Sequence, residues 1–311
     1  MKSTNTFGDT LFDRSDFPLT AGWREDQVPI PLHNHTFEEL VIIEAGTADH
    51  FVNEGERFPL RVGDVFVIKP NSAHGFDSPR QLVRVNIRFH LERLSLPMAE
   101  MCKLPGYHAL FELEPRYRQH HRFASRLRLG MTDLRHALDL AKEMESELTR
   151  RAPGYEFASL SSFMRLIALL CRCYSRSTTP LSLPLLRADR AIQYLESHYQ
   201  EEISLRDLGH HTHQSVNTLL RVFKAATGHS PVQYLLNLRL RKATELLIER
   251  PDLGVTEAAL AAGFNDSNYF SRLFRRRFKV SPRAFRLKAW DSLGDTPLRD
   301  AVRPLVDGSQ G

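Results

Sequence analysis

The chain has 311 residues, 42% of them apolar and 25% charged, an ordinary globular composition with length enough for two domains that each have a core. Its three cysteines, Cys102, Cys171 and Cys173, cannot all pair within the chain and have no metal-ligand spacing, which argues against a disulfide framework and for reduced thiols in the cytosol. The first residues lack the apolar core of a signal peptide and no run reaches 18 apolar residues, so no membrane span is expected; Phe163 to Cys173 comes closest, interrupted by Arg165 and Arg172.

Over the first 95 residues apolar and polar residues alternate, and Gly and Pro punctuate short segments. Strands are predicted at 31–44, 47–53, 57–61, 64–68 and 82–89, a spacing that suits a small barrel or jelly roll. In the first of these His33, His35 and Glu39 are evenly spaced and share one face, and His74 follows a later strand in the segment PNSAH. In the last, Arg84, Asn86 and Arg88 alternate with Val83, Val85, Ile87 and Phe89, so three polar side chains share a face that is either solvated or lines a pocket. The pattern His-x-His-x3-Glu-x6-Gly from His33 to Gly46, then Gly63-Asp64 and Pro70-x3-His74, resembles the two motifs of the cupin barrel. The leading Gly of the first motif and the closing Asn of the second are missing.

Pro97, Pro105 and Pro115 break residues 96–130 into short mixed segments, of which basic Arg116–Arg128, with His120 and His121, is expected to cover the barrel mouth. Two amphipathic helices follow. Thr132 is read as the cap of the first, with Leu134, Leu138, Ala141, Met144 and Leu148 apolar. Gly154 breaks before the second, whose apolar positions are Phe157, Leu160, Met164, Ile167, Leu170 and Tyr174. This second helix is apolar over more than one face, as for a helix that packs on the barrel and on a partner subunit; plain core packing is the alternative. SRSTTPLSLP, from Ser175 to Pro184, is polar with two prolines and reads as an interdomain linker.

Between Ser215 and Pro282 one pattern occurs twice, 51 residues apart: Asn217, Arg221, Phe223, Ser230 and Pro231 align with Asn268, Arg272, Phe274, Ser281 and Pro282. In both copies large apolar residues recur at helical spacing while Asn and Arg stand four apart on the opposite face. Asn pairs bidentately with adenine and Arg with guanine in the major groove, so this spacing has a chemical reason. Each copy follows a shorter helix across a tight turn, giving two helix-turn-helix units. Ser204 with Asp207 opens the first short helix and Ser215 caps the next; in the second unit Thr256 precedes the short helix, Gly263 supplies the turn and Asp266 or Ser267 caps. Ser230 and Pro231 start a connector with Leu236, Leu240, Ala243 and Leu247 as its stripe. Residues 204–290 hold fifteen Lys or Arg against six Asp or Glu, a net of +9 in a chain of net +5, and Arg272, Arg275, Arg276, Arg277 and Lys279 are the densest part. That is the electrostatic footprint of a phosphate backbone.

The stretch AAGFNDSNYFSRLFRRRFKVSPRAFR, Ala261 to Arg286, resembles the signature of the AraC/XylS family of bacterial transcription regulators, and the likeness extends back to about Asp189. The resemblance implies a seven-helix DNA-binding domain with reading helices at 215–226 and 267–278. Three departures stand in the first unit: His213 and Gln214 where a Gly and an apolar residue are usual, Gly209 where Ala is usual, and Leu220 at an often polar position. Lys279 replaces the usual Gly after the second reading helix.

The expected fold class is therefore α+β in two domains: a cupin-like barrel at 1–95, associated helices for dimerisation at 96–174, a linker at 175–187, the double helix-turn-helix domain at 188–290 and a tail at 291–311. Asn217, Thr218, Arg221, Ser267, Asn268, Tyr269, Arg272 and Arg276 are the expected DNA-binding residues. The sensor domains of sugar-responsive members of the family share the His-x-His and PxxxH segments, and the motif order of the N-terminal half is most similar to the rhamnose-operon activators. Together with the donor-rich face of the last strand, this makes His33, His35, Glu39, His74, Phe76, Arg84 and Asn86 the expected lining for a sugar or sugar acid. The resemblance implies a cytoplasmic homodimer that binds double-stranded promoter DNA, works with RNA polymerase on a catabolic operon and needs no cofactor. The competing reading is a metal-dependent cupin enzyme fused to a DNA-binding domain, with His33, His35, Glu39 and His74 as ligands of Zn, Fe, Mn or Ni; purely structural histidines are a third.

Overall fold

A computed structural model describes residues 5–7, 12, 16–53, 55, 57–116, 127–180 and 182–292. Residues 117–126 of the expected cover over the barrel mouth, with His120 and His121, and the tail beyond 292 lie outside the described residues. The chain forms two compact units, 1–190 and 191–311.

Among the described residues the first unit is an eight-stranded sheet curled on itself, with helices on its outer face, and the α+β class with an N-terminal cupin-like sheet and a helical C-terminal part holds. The strands are β1 (Asn5–Phe7), β2 (Leu19–Asp26), β3 (Ile30–His35), β4 (Glu38–Val52), β5 (Arg57–Leu60), β6 (Asp64–Ile68), β7 (His74–Phe89) and β8 (Leu127–Arg128). They run in the order β1-β3-β7-β4-β6-β8, with β2 joined to β7 and β5 to β4. In β4, Leu40, Val41, Ile42 and Ile43 are all fully buried, because one face of the sheet lines the interior and the other is covered by helices.

Strand prediction missed β2, whose sequence LTAGWRED has no clean alternation, and began the last strand too late: His74 is the first residue of the 16-residue β7. Two-residue β8 pairs with β6, so the sheet reaches past the boundary expected at 95. Asp64 anchors that edge, accepting from the Arg61 amide at 2.7 Å and from Arg128 Nε at 2.8 Å.

The one-turn α1 (Met98–Met101) and the π-helical α2 (Ala109–Leu113) precede the hairpin of α3 (Met131–Arg150) and α4 (Tyr155–Ser175). Helix α3 is capped by Gly130, so Thr132 lies inside its first turn and is not the cap. Helix α4 is long and apolar enough, at mean hydropathy 1.3, to cross a membrane by composition alone. It is instead a core helix: Phe163, Leu166, Ile167, Leu170, Cys171 and Tyr174 are buried, and Phe163 packs on Phe89 of β7 at 4.9 Å between ring centroids. Phe157, expected in this stripe, is 79% exposed.

Helix α5 (Ser182–Ser197) begins inside the expected linker of 175–187. Pro184 sits in the first helical turn, where no intrahelical donor is lost. Leu185, Leu186, Ala188, Ala191, Ile192 and Leu195 are buried at helical spacing.

The second unit contains α6 (Leu205–His211), α7 (Val216–Thr227), α8 (Pro231–Glu249), α9 (Val255–Ala261), α10 (Ser267–Phe278) and α11 (Pro282–Ser292). Its local signals act as read. Ser204 and Asp207 form a capping box, Ser215 accepts from the Thr218 amide, and Ser230 with Gln233 opens α8 ahead of Pro231. In the second half Gly254, one residue before α9, is the cap, with Glu257 Oε2 accepting from its amide at 2.6 Å, and Thr256 is already helical. Of the two candidate caps for α10, Asp266 serves, accepting from the Asn268 and Tyr269 amides. Those two N–H groups hold its carboxyl below the usual range. Phe264, Phe270, Phe274, Phe278 and Phe285 share one core with Leu240, Ala243, Leu247 and Ala258.

Candidate functional site

The barrel interior is where the sheet brings polar groups together. Residues directly opposite in an antiparallel pair share a face, and β4 sets Glu39, Val41 and Ile43 against Arg88, Asn86 and Arg84 of β7. The polar face of β7 is thus turned inward: Arg84 is 6% exposed and Asn86 4%. Glu39 is the hub. Its Oε1 accepts from Asn86 Nδ2 at 2.6 Å and Arg88 Nε at 3.0 Å, while Oε2 lies 3.6 Å from His35 Nε2 and 3.7 Å from His74 Nε2. Burial alone would raise the Glu39 carboxyl, but the flanking His35 and His74 imidazoles and the Arg88 charge outweigh it and hold the group well below the usual range.

Main-chain carbonyls fix the imidazoles. His35 Nδ1 donates to Phe37 O at 2.7 Å and His74 Nδ1 to Ser72 O at 3.0 Å. His33 Nδ1 does the same to Pro31 O at 2.9 Å, and its ring lies 4.2 Å from that of His74. Burial, and after it the nearness of His74, lower His33 to about 4, so it is neutral at pH 7.

A second cluster adjoins the first. Arg84 Nε donates to Asp26 Oδ2 at 2.5 Å, and its guanidinium sits 4.6 Å above the Phe76 ring. Phe76 itself lies in the apolar barrel core, with Val41, Ile43, Phe66 and Leu82. His50 joins the clusters, its ring 5.1 Å from Phe76 and 6.0 Å from His74. All seven expected pocket residues therefore face one interior, with His33 the only one half-buried and the other six buried. Asp26 and His50 were missed, and Arg88, read on the same face as Arg84 and Asn86, was left out of the expected lining. An inward Arg84 needs a counter-charge, which was the available signal for Asp26, but β2 could not be read as its source. A water-sized cavity of about 10 Å³, lined by His50, Val52, Ser72, His74 and Pro115, borders this cluster.

In the second unit α7 and α10 each bury one stripe, Leu219, Val222, Phe223 and Ala226 in one and Phe270, Leu273, Phe274 and Phe278 in the other. Asn217 and Arg221 are exposed on α7, and Asn268, Tyr269, Arg272 and Arg276 on α10. Thr218, Ser267 and Leu220 are half-buried. Each helix thus presents its Asn and Arg, one turn apart, on the side away from the core.

Comparison with known proteins places these two regions in recognised families. Residues 208–288 match the helix-turn-helix domain family and residues 25–84 the cupin domain family. The chain is 32% identical over 277 residues to the HTH-type transcriptional activator RhaS of Enterobacter sp. (strain 638), covering 89% of this chain and 94% of that one. It is 29% identical over the same length and shares to the HTH-type transcriptional activator RhaR of Mannheimia succiniciproducens. Among solved structures it is similar to the DNA-binding domain of AdpA in complex with a target DNA, at 26% identity and a TM-score of 0.34, over 35% of this chain and 98% of that one.

Proposed function

Given that the chain belongs to the AraC-type transcriptional activators with an N-terminal cupin domain, and is thus a DNA-binding regulator, not an enzyme, we propose that a sugar or sugar acid bound in the barrel controls it at the promoter of a catabolic operon. The observation that carries this reading is the polar cluster of buried Glu39, His35, His74, Asn86 and Arg84, with half-buried Asp26, inside an otherwise apolar barrel. Desolvating so many polar groups in one apolar barrel is costly, which supports their being kept for a ligand. Arg84, Asn86 and His74 offer the donors and acceptors a polyol needs, with Phe76 as a flat apolar wall.

Asn217, Thr218 and Arg221 on α7, with Ser267, Asn268, Tyr269, Arg272 and Arg276 on α10, are assigned to double-stranded promoter DNA. The exposed Phe157 and half-buried Leu160 and Met164 of α4 suit a homodimer contact. Work at a promoter implies RNA polymerase as partner and the cytoplasm as location. The effector shifts DNA affinity only through different affinities for two states of the chain.

The test is a thermal-shift screen of the full chain against sugars and sugar acids, followed by DNA-binding titrations with each hit. The double variant Asp26→Asn/Arg84→Gln, which removes the ion pair without leaving a lone buried charge, should keep DNA binding and lose the effector response. A variant that still responds fully moves the effector away from this cluster.

A further inference from the structure

We infer that Arg239 and Gln200 are positioning residues for DNA reading: they lock the loop ahead of the first helix-turn-helix unit onto the turn of the second, and so set the distance along the duplex between α7 and α10. The inference rests on the assignment of those two helices to promoter DNA.

The loop at 198–204 joins α5 to α6. Carbonyls in such a loop have no helical ladder to pair with, and two of them are met by a cation from the middle of α8. Half-buried Arg239 donates from Nε to Tyr199 O and from Nη2 to Glu201 O, both at 2.6 Å. One planar guanidinium thus holds two points of the loop, a fork that a lysine cannot form. On its other side the loop meets the second turn. Gln200 Nε2 donates to Ala261 O at 2.8 Å, and Asn265 Nδ2 to Glu202 Oε1 at 2.8 Å. Gly263 lies under this contact, where a Cβ would stand 2.9 Å from both Arg239 Nε and Gln200 Cα. Four hydrogen bonds therefore clasp together three segments 38 to 63 residues apart in the chain.

Three of the four bonds are exposed, and water would satisfy the same groups, so they add little net stability. Their consequence is geometric. Helix α8, which packs on the first helix-turn-helix unit through Tyr234 on Phe223 and on the second through Leu240 and Leu247, has 19 residues and is about 28 Å long. A tilt of about 10° at one end of such a helix moves the other by about 5 Å, more than the roughly 3.4 Å between successive base pairs. A helix packed on each unit separately leaves that angle to its two ends. The clasp bridges the two units directly, and Arg239 anchors it to α8 itself.

The experiment uses the full chain and a duplex that it selects from a random pool. Arg221→Ala and Arg272→Ala identify, by the bases whose preference each relaxes, the tracts read by α7 and α10. One base pair is then inserted between the tracts, and affinities for the original and the lengthened duplex are compared by anisotropy, with melting curves alongside. The wild-type chain should lose about 10- to 100-fold on the insertion, the cost of misplacing one bidentate base contact. Arg239→Gln should bind the original duplex more weakly and the two duplexes nearly alike. Arg239→Lys, which reaches only one carbonyl, should fall between. Gln200→Ala removes one exposed bond and should shift the ratio the same way even where Arg239→Gln fails to fold. The ratio cancels any change in phosphate attraction, and a variant that is merely less stable keeps the wild-type ratio. Wild-type ratios in folded Arg239→Gln and Gln200→Ala overturn the clasp as a positioning device and leave the helix assignment intact. If neither Arg221→Ala nor Arg272→Ala relaxes any base, the helix assignment fails and the inference falls with it.

Discussion

In the first helix-turn-helix unit the turn is strained and the reading helix ends cleanly, whereas in the second the turn fits and the end of the reading helix is strained. Helices α6 and α9 are 50 residues apart and α7 and α10 are 51, so the second turn holds one extra residue, Asn265. His213 and Gln214 correspond to Gly263 and Phe264, as the matching backbone bonds show: Gln214 N–H donates to Gly209 O at 2.9 Å, and Phe264 N–H to Ala259 O at 3.0 Å. Gly263, at φ 87°, is required, because an added Cβ would lie 2.5 Å from Tyr199 O. His213 takes the same left-handed conformation at φ 54° with a side chain, at about 1–2 kcal/mol.

The next residue widens the contrast. Phe264 is 3% exposed in the aromatic core, while Gln214 in its place buries both amide atoms with no hydrogen-bond partner among the described residues. Gly209, where the second unit has Ala259, is explained by the same crowding: its Cβ would meet Gln214 O at 2.8 Å. At the far end the roles reverse. Gly228 closes α7 at φ 78°, and Lys279 closes α10 at φ 61°.

The largest expected effect compares those two turn positions. Phe264→Ala should cost about 3–5 kcal/mol through the cavity it leaves. Gln214→Leu should stabilise the first unit by about 1 kcal/mol, since a desolvated amide worth about 1–3 kcal/mol of penalty is removed. Urea unfolding of the full chain, with hydrogen exchange to separate α6 and α7 from α9 and α10, measures both. A Gln214→Leu chain less stable than wild type would mean that the amide has a partner and that the turns are equally well packed.

DNA binding should show the same asymmetry at a smaller scale. On the proposed assignment Arg272→Ala loses about 1–3 kcal/mol on the specific site and relaxes its sequence preference. Arg221→Ala should lose less, because the turn that aims α7 is the looser one. Anisotropy titrations on promoter and random DNA give both losses. A larger loss for Arg221→Ala, or equal losses on both DNAs for Arg272→Ala, would break the ranking of the two helices.

The contrast also shows which features a sequence can carry. Ser204, Ser215, Ser230 and Pro231 act within four residues of themselves, and the stripe of Phe270, Phe274 and Phe278 needs only helical period; these were legible. His35, Glu39 and His74 were legible as a set because strand alternation and a motif placed them on one face. The pairing of Arg84 with Asp26, 58 residues away, was not, since it depends on β2 and on the register of two strands. Thr132 failed as a cap because Gly130 starts α3 two residues earlier, and helix boundaries are the weakest part of a periodic signal. Nor could the desolvation of the Gln214 amide be seen, as burial of a turn residue is set by distant packing.

The smallest effects come from exchanging the two strained left-handed residues for glycine. In His213→Gly and Lys279→Gly relief of about 1–2 kcal/mol is partly offset by the greater unfolded-state freedom of glycine, which leaves a net gain of about 0.5–1 kcal/mol in each. For a unit of this size that is a rise of several degrees in melting temperature. The two gains should appear in different places: His213→Gly should slow hydrogen exchange in α6 and α7, and Lys279→Gly in α10 and α11. The sites are independent if they do not share a partner, so the double variant should add the two gains within a few tenths of a kcal/mol. His213→Gly should also tighten specific DNA binding slightly by steadying α7, whereas Lys279→Gly removes a cation beside the densest basic run and should weaken binding to all sequences alike. If His213→Gly leaves both stability and exchange unchanged, the strain attributed to the first turn is not there, and the weaker reading expected of α7 must come from Leu220 or from the amide of Gln214 alone.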